Sequence, residues 1–138
     1  DGRKMSKSYG NTIPLFESEK KLKKSINKIK TNLLEPGDRK DPDTSTVFQI
    51  WQAFASPEQT QLMREQFSDG IAWGEAKKQL HELINRELER PRERYAELIA
   101  EPAKLEKILQ MGAEKAREIS LPLIKSVRES IGIKSMRS

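Results

Sequence analysis

With 138 residues, the chain is long enough for one domain with a single core. It is 34% charged and contains no apolar run near the roughly 20 residues a membrane-crossing helix needs, which excludes a helical span. It has no cysteine and one histidine, His81, which excludes disulfides, thiolate metal sites and a histidine-pair mechanism and predicts a cytoplasmic protein without its own metal. The net charge of +5 is uneven: residues 1–30 hold nine Lys/Arg against three acids, a balance of +6, and the remainder 17 against 18.

Residues 1–16 show no periodicity and contain Gly2, Gly10, Asn11 and Pro14, which predicts a non-helical arm. Within it, Lys4-Met5-Ser6-Lys7-Ser8 sets two lysines three apart, with hydroxyls beside them and glycines on either side. Lysine is a flexible point charge with three donors, and two of them can converge on one polyphosphate. A solvated, lysine- and serine-rich arm would have the same composition, so the residues alone leave both readings open.

Leu22, Ile26, Ile29 and Leu33 then fall on one face of a helix with lysines around the other, until Glu35-Pro36-Gly37-Asp38 stops it. Lys20, Lys21, Lys23 and Lys24 suit either a solubilising face or a polyanion. Thr44 or Ser45 can cap the next helix, which should bury Val47, Ile50, Trp51 and Phe54. Ser56-Pro57-Glu58-Gln59 announces a third, with a serine cap, proline in the first position and glutamine completing a capping box. That helix carries Leu62, Met63 and Phe67 and ends at Asp69-Gly70.

A long pattern opens at Gly74-Glu75 and keeps its apolar phase across Pro91, predicting a kink near Leu88. His81 reads as an ordinary surface or boundary side chain of this helix, and the mixed charges of residues 86–94 as its exposed face. Glu101-Pro102 restarts a helix with Leu105, Ile108 and Leu109, and Gly112 marks a turn. The last helix uses Ala116, Ile119, Leu123, Val127 and Ile131, bends at Pro122 and closes on a left-handed cap at Gly132-Ile133. No stretch alternates long enough for a strand. The expected fold is all-α, a bundle of five or six helices behind a non-helical N-terminal arm, with residues 134–138 a disordered tail.

Residues 4–11, Lys4-Met5-Ser6-Lys7-Ser8-Tyr9-Gly10-Asn11, resemble the KMSKS-x-G-N signature of class I aminoacyl-tRNA synthetases at every fixed position. Thr12-Ile13-Pro14-Leu15-Phe16 is similar to the tryptophanyl branch. Residues 67–80, from Phe67-Ser68-Asp69-Gly70 through Gly74-Glu75-Ala76-Lys77 to Leu80, and Met111-Gly112-Ala113-Glu114-Lys115-Ala116 resemble later segments of tryptophanyl- and tyrosyl-tRNA synthetases.

The resemblance implies that Lys4, Met5, Ser6, Lys7 and Ser8 bind ATP, supplied with Mg2+ as substrate, and that Lys4 and Lys7 hold its β- and γ-phosphates. It also implies that residues 1–16 are a signature loop and connector from a catalytic domain, and residues 17–133 an anticodon-binding domain. Partners would be tRNA(Trp), ATP and tryptophan, with no membrane, and the parent enzyme would be a homodimer. The loop holding Arg39, Lys40, Asp41 and Asp43 would approach the anticodon, where arginine can fork to or stack on a base and a carboxylate can accept from an exocyclic amine; an ordinary solvated loop is the alternative. The family's His-x-Gly-His motif has no counterpart here, since the one histidine lies in a helical pattern. The expectation is a C-terminal piece of a synthetase, inactive alone, with the tyrosyl relative or a stand-alone helical interaction module as alternatives.

Overall fold

Three serines start helices in the computed structural model of this protein, which describes residues 2–133. Ser18 accepts from the Lys21 N–H at the start of α1 (Glu19–Asn27), and Ser45 from Phe48 at the start of α2 (Thr46–Gln52). Ser56 accepts from Gln59 at the start of α3 (Pro57–Ser68), and the Gln59 side chain accepts in return from the Ser56 N–H at 2.9 Å. The expected capping box is therefore present, with Pro57 in a first-turn position where its missing N–H is not needed. α4 (Trp73–Ala100) and α5 (Pro102–Ser130) follow. The chain is all-α, and no strand occurs among the described residues. The tail at residues 134–138 lies outside the described residues.

The chain falls into two units, Asp1–Arg94 and Tyr95–Ser138. The core of the first joins Leu22 and Ile26 of α1, Val47, Phe48 and Trp51 of α2, Met63 and Phe67 of α3, and Ala76, Leu80, Leu83, Ile84 and Leu88 of α4. Phe67 stands edge-on to Phe48 at 5.4 Å and to Trp73 at 5.6 Å, a geometry that favours the ring quadrupoles. Trp51 is buried, as its apolar spacing predicts, and its indole N–H donates to the Gln59 carbonyl at 3.3 Å. Phe48, which helical spacing passed over, is fully buried, whereas Ile50 and Phe54 are only half-buried.

Several expectations are corrected. α1 stops at Asn27 rather than running to Leu33, which is 96% exposed. Its last turn tightens through i→i+3 bonds, Lys28 to Ser25 and Ile29 to Ile26, and Lys77 of α4 donates to the Asn27 carbonyl at 3.2 Å. A partner from another helix thus closes α1 where the apolar spacing alone would continue it. α4, by contrast, keeps to the expectation of one helix continuing across Pro91 and runs unbroken from Trp73 to Ala100. Proline removes the donor to the Glu87 carbonyl, and the Arg92 guanidinium donates to the neighbouring carbonyls of Leu88 (3.2 Å) and Asn85 (3.0 Å).

Gly112 does not end a helix, so the two expected C-terminal helices are one. A glycine in a helix interior costs only about 0.5–1 kcal/mol, less than giving up the hydrogen bonds of a turn on either side. α5 ends on the expected left-handed cap: Gly132 has φ +77°, and Ile133 N–H reaches the Arg128 carbonyl at 2.9 Å. The expected core positions of this helix are not core, however. α5 has no buried residue, and Ile119 is 79% exposed. Among the described residues the second unit holds one long helix and the last residues of α4, and so few elements enclose no interior of their own.

Candidate functional site

The signature segment folds on itself. Lys7–Tyr9 form one 3-10 turn, closed by Tyr9 N–H to Ser6 O and Gly10 N–H to Lys7 O, both 3.1 Å. Gly10 carries the chain out at φ +63°, a left-handed conformation that glycine adopts without steric cost. Asn11 braces the loop from behind: its Oδ1 accepts from the Ser6 N–H at 2.7 Å, and its Nδ2 donates to the carbonyls of Lys4 (3.4 Å) and Arg3 (3.5 Å). The hydroxyls of Ser6 and Ser8 bond to each other at 2.8 Å.

Lys4, Met5, Lys7 and Ser8 are exposed and Ser6 is half-buried. Neither lysine side chain makes an ion pair or hydrogen bond among the described residues, which leaves both ammonium groups free for an anion. The Arg3 guanidinium lies 4.3 Å over the Tyr9 ring. A recess beside the loop is lined by Arg3, Met5, Tyr9 and Asn11 and, from the end of α1, by Lys28 and Lys30. The bracing by Asn11 was missed in the sequence, where its only sign was its fixed place after Gly10 in the motif.

The second candidate region is the loop between α1 and α2. Its backbone is tied to the end of α3 by Gly37 N–H to Gly70 O and Lys40 N–H to Phe67 O, both 2.8 Å. Gly70 has φ +83°, and a Cβ there would collide with the Gly37 backbone. Of the four candidates, Arg39, Asp41 and Asp43 are exposed and Lys40 is not. Lys40 is fully buried: its ammonium donates to the carbonyls of Glu35 (2.7 Å) and Asp38 (3.0 Å) and lies 5.5 Å from the Trp73 ring centre. Contrary to the grouping by sequence, it faces the interior and holds the loop shut.

Asp41 accepts from the Asp43 N–H (3.0 Å) and the Thr44 hydroxyl (3.1 Å), and Asp43 pairs with Arg64 at 2.9 Å. The hydrogen bond from Arg64, aided by its charge, holds the Asp43 carboxyl below the usual aspartate range. Arg64 itself lies 4.9 Å from the Phe48 ring centre. Arg39 has no side-chain hydrogen bond or ion pair among the described residues.

Two further side chains differ from or refine the expectation. His81 is buried, not at the surface, with Nε2 3.8 Å from a Glu19 carboxylate oxygen and no hydrogen-bond partner among the described residues. Trp73 packs at the start of α4, its indole N–H donating to Asn32 Oδ1 at 3.1 Å. No cluster of three metal-ligating side chains occurs, and no helix is long and apolar enough to cross a membrane, among the described residues.

The site is thus two exposed lysines on a braced turn, carried by an all-α chain. The model of the family "tRNA synthetases class I (W and Y)" matches residues 1–89, and the chain belongs to that family. Within it, the chain is 55% identical over 137 residues to the tryptophan–tRNA ligase of Neisseria meningitidis, a match covering 99% of the chain and 41% of the relative. It is 51% identical over 137 residues to that of Pseudomonas aeruginosa, covering 99% of the chain and 31% of the relative. Among solved structures, the tryptophanyl-tRNA synthetase of Campylobacter jejuni, complexed with ADP and tryptophan, superimposes with a TM-score of 0.89 at 39% identity, over 96% of this chain and 42% of that one. The chain thus spans less than half the length of the curated relatives it matches.

Proposed function

We propose that the chain is the C-terminal part of a tryptophan–tRNA ligase, which activates tryptophan with ATP and transfers it to tRNA(Trp). The observation that carries this reading is the braced two-lysine loop at residues 4–11, in a chain 55% identical to a tryptophan–tRNA ligase along almost its whole length. Lys4 and Lys7 take the β- and γ-phosphates of ATP, which arrives with Mg2+, and Met5, Ser6 and Ser8 shape the loop around them. When the carboxylate of tryptophan attacks the α-phosphorus, negative charge grows on the departing pyrophosphate. Two ammonium groups held beside it favour that state over the ground state, which is electrostatic catalysis. The exposure of the loop and its left-handed glycine hinge at Gly10 suit a segment that closes on nucleotide and reopens.

Residues 1–16 serve in this reading as the connector from the catalytic domain, and residues 17–133 as the anticodon-binding part. Arg39, with its guanidinium free, stacks on or forks to an unstacked anticodon base, and Asp41 and Asp43 offer acceptors beside it. Lys40 acts from beneath by holding the loop backbone. The complete enzyme works in the cytoplasm as a homodimer, as family membership implies.

The test is tryptophan-dependent exchange of pyrophosphate into ATP by the full-length protein. Lys4→Gln and Lys7→Gln should each lower the rate by on the order of 10²-fold, the usual loss for one transition-state donor. Exchange supported by tyrosine and not tryptophan would assign the chain to the tyrosyl branch, and rates unchanged in both variants would remove the loop from the chemistry.

A further inference from the structure

The lysines of α1 have no place in the phosphate loop, yet they account for much of the positive end of the chain. At about 3.6 residues per turn, Lys20, Lys23 and Lys24 of α1 and Lys28 in its C-terminal cap fall within an arc of roughly 140° on one side. All four are exposed. The opposite side carries Leu22 and Ile26, which are 1% and 0% exposed and belong to the core. None of the four forms an ion pair among the described residues. The acids nearby are committed elsewhere: Glu17 pairs with Lys21 at 2.8 Å, and Glu19 stands 3.8 Å from His81.

A face that only keeps a protein in solution intersperses both signs, as residues 86–94 of α4 do. The α1 arc instead sets like charges at i,i+3 and i,i+4 spacing, where they repel and destabilise the helix. The arrangement is also continuous with the signature loop, because Lys28 and Lys30 line the same recess as Arg3, Met5 and Asn11.

We infer that the lysine arc of α1, Lys20, Lys23, Lys24 and Lys28, is a docking surface for the phosphate backbone of RNA, leading into the signature loop. The inference rests on the proposed tRNA-ligase function. The polyanion relieves the repulsion within the arc and releases its own counterions, so binding is strong at low salt and indifferent to base sequence. An anionic membrane is a poorer fit: an amphipathic helix binds lipid by inserting its apolar face, and here that face is spent on the core.

The test uses the full-length enzyme carrying Lys20→Gln, Lys23→Gln and Lys24→Gln together, with thermal melting as the check on folding. Three lost phosphate contacts should flatten the salt dependence of tRNA binding by about 2–3 in log–log slope and weaken binding roughly tenfold or more at physiological salt. The loss should be the same factor for cognate and non-cognate tRNA, since backbone contacts carry no sequence information. Arginine at the same three positions should restore both affinity and slope. If wild-type and glutamine variant share one slope and one affinity, the surface is not used and the proposal falls, while the ligase reading stands. If wild-type binds no tRNA even at low salt, the functional reading falls with it. Retained tRNA binding with loss of binding to phosphatidylserine vesicles would reassign the arc to lipid and overturn the proposal.

Discussion

Gly70 and Gly37 provide a paired test of how the loop bearing Arg39 is held. Both have left-handed backbones, φ +83° and +92°, so alanine at either position meets the same conformational penalty, about 1 kcal/mol. Their surroundings differ. A Cβ on Gly37 meets nothing within 4 Å, whereas one on Gly70 runs into the Gly37 carbonyl carbon, Cα and oxygen. Backbone cannot turn aside as a side chain can, so the two segments must separate in Gly70→Ala. Separation breaks Gly37 N–H to Gly70 O and strains Lys40 N–H to Phe67 O, both 2.8 Å, at about 1 kcal/mol each. Gly70→Ala should therefore cost about 3 kcal/mol and Gly37→Ala about 1 kcal/mol. For a domain of ordinary marginal stability, the larger loss is easily resolved. Urea denaturation followed by the fluorescence of Trp51 and Trp73 measures both variants, since these indoles lie in and against the core. Equal destabilisation by the two substitutions would refute the argument from close approach.

Asn11→Ala removes the short bond to the Ser6 N–H and two longer ones, which together contribute about 1–2 kcal/mol. In the full-length enzyme this should lower kcat/KM for ATP in pyrophosphate exchange by roughly tenfold with little change in Tm; a large fall in Tm with unaltered kinetics would make Asn11 purely structural. Asp43 gives a pH dependence. Its carboxyl titrates lower when folded than when unfolded, so its bond to Arg64 contributes stability above the ordinary aspartate value of about 3.9 and loses it as pH falls below that. The stability gap between wild-type and Asp43→Asn should be constant near neutrality and close on acidification, and a gap independent of pH down to about 3 would discount the pair.

Much of this was readable from the chain because it depends on neighbours in sequence. The cap at Ser56 and the left-handed finish at Gly132 are chemistry over three to five residues and stand where the sequence placed them, and Ser45 is one of the two caps it offered for α2. The two lysines of the signature loop were legible for the same reason, since they stand three residues apart within residues 4–11, whereas its 3-10 turn and the Asn11 brace were not.

Tertiary structure decided what depends on distant partners. Lys40 reads as one more charged loop residue, and it is buried only because the α3 terminus, Gly37 against Gly70 and the Trp73 ring enclose it. α1 ends at Asn27, and the partner that satisfies its last carbonyl is a lysine 50 residues away. The apolar pattern of α5 specified a helix correctly but not a burial, since periodicity fixes which residues share a face and only another packed element can remove that face from water.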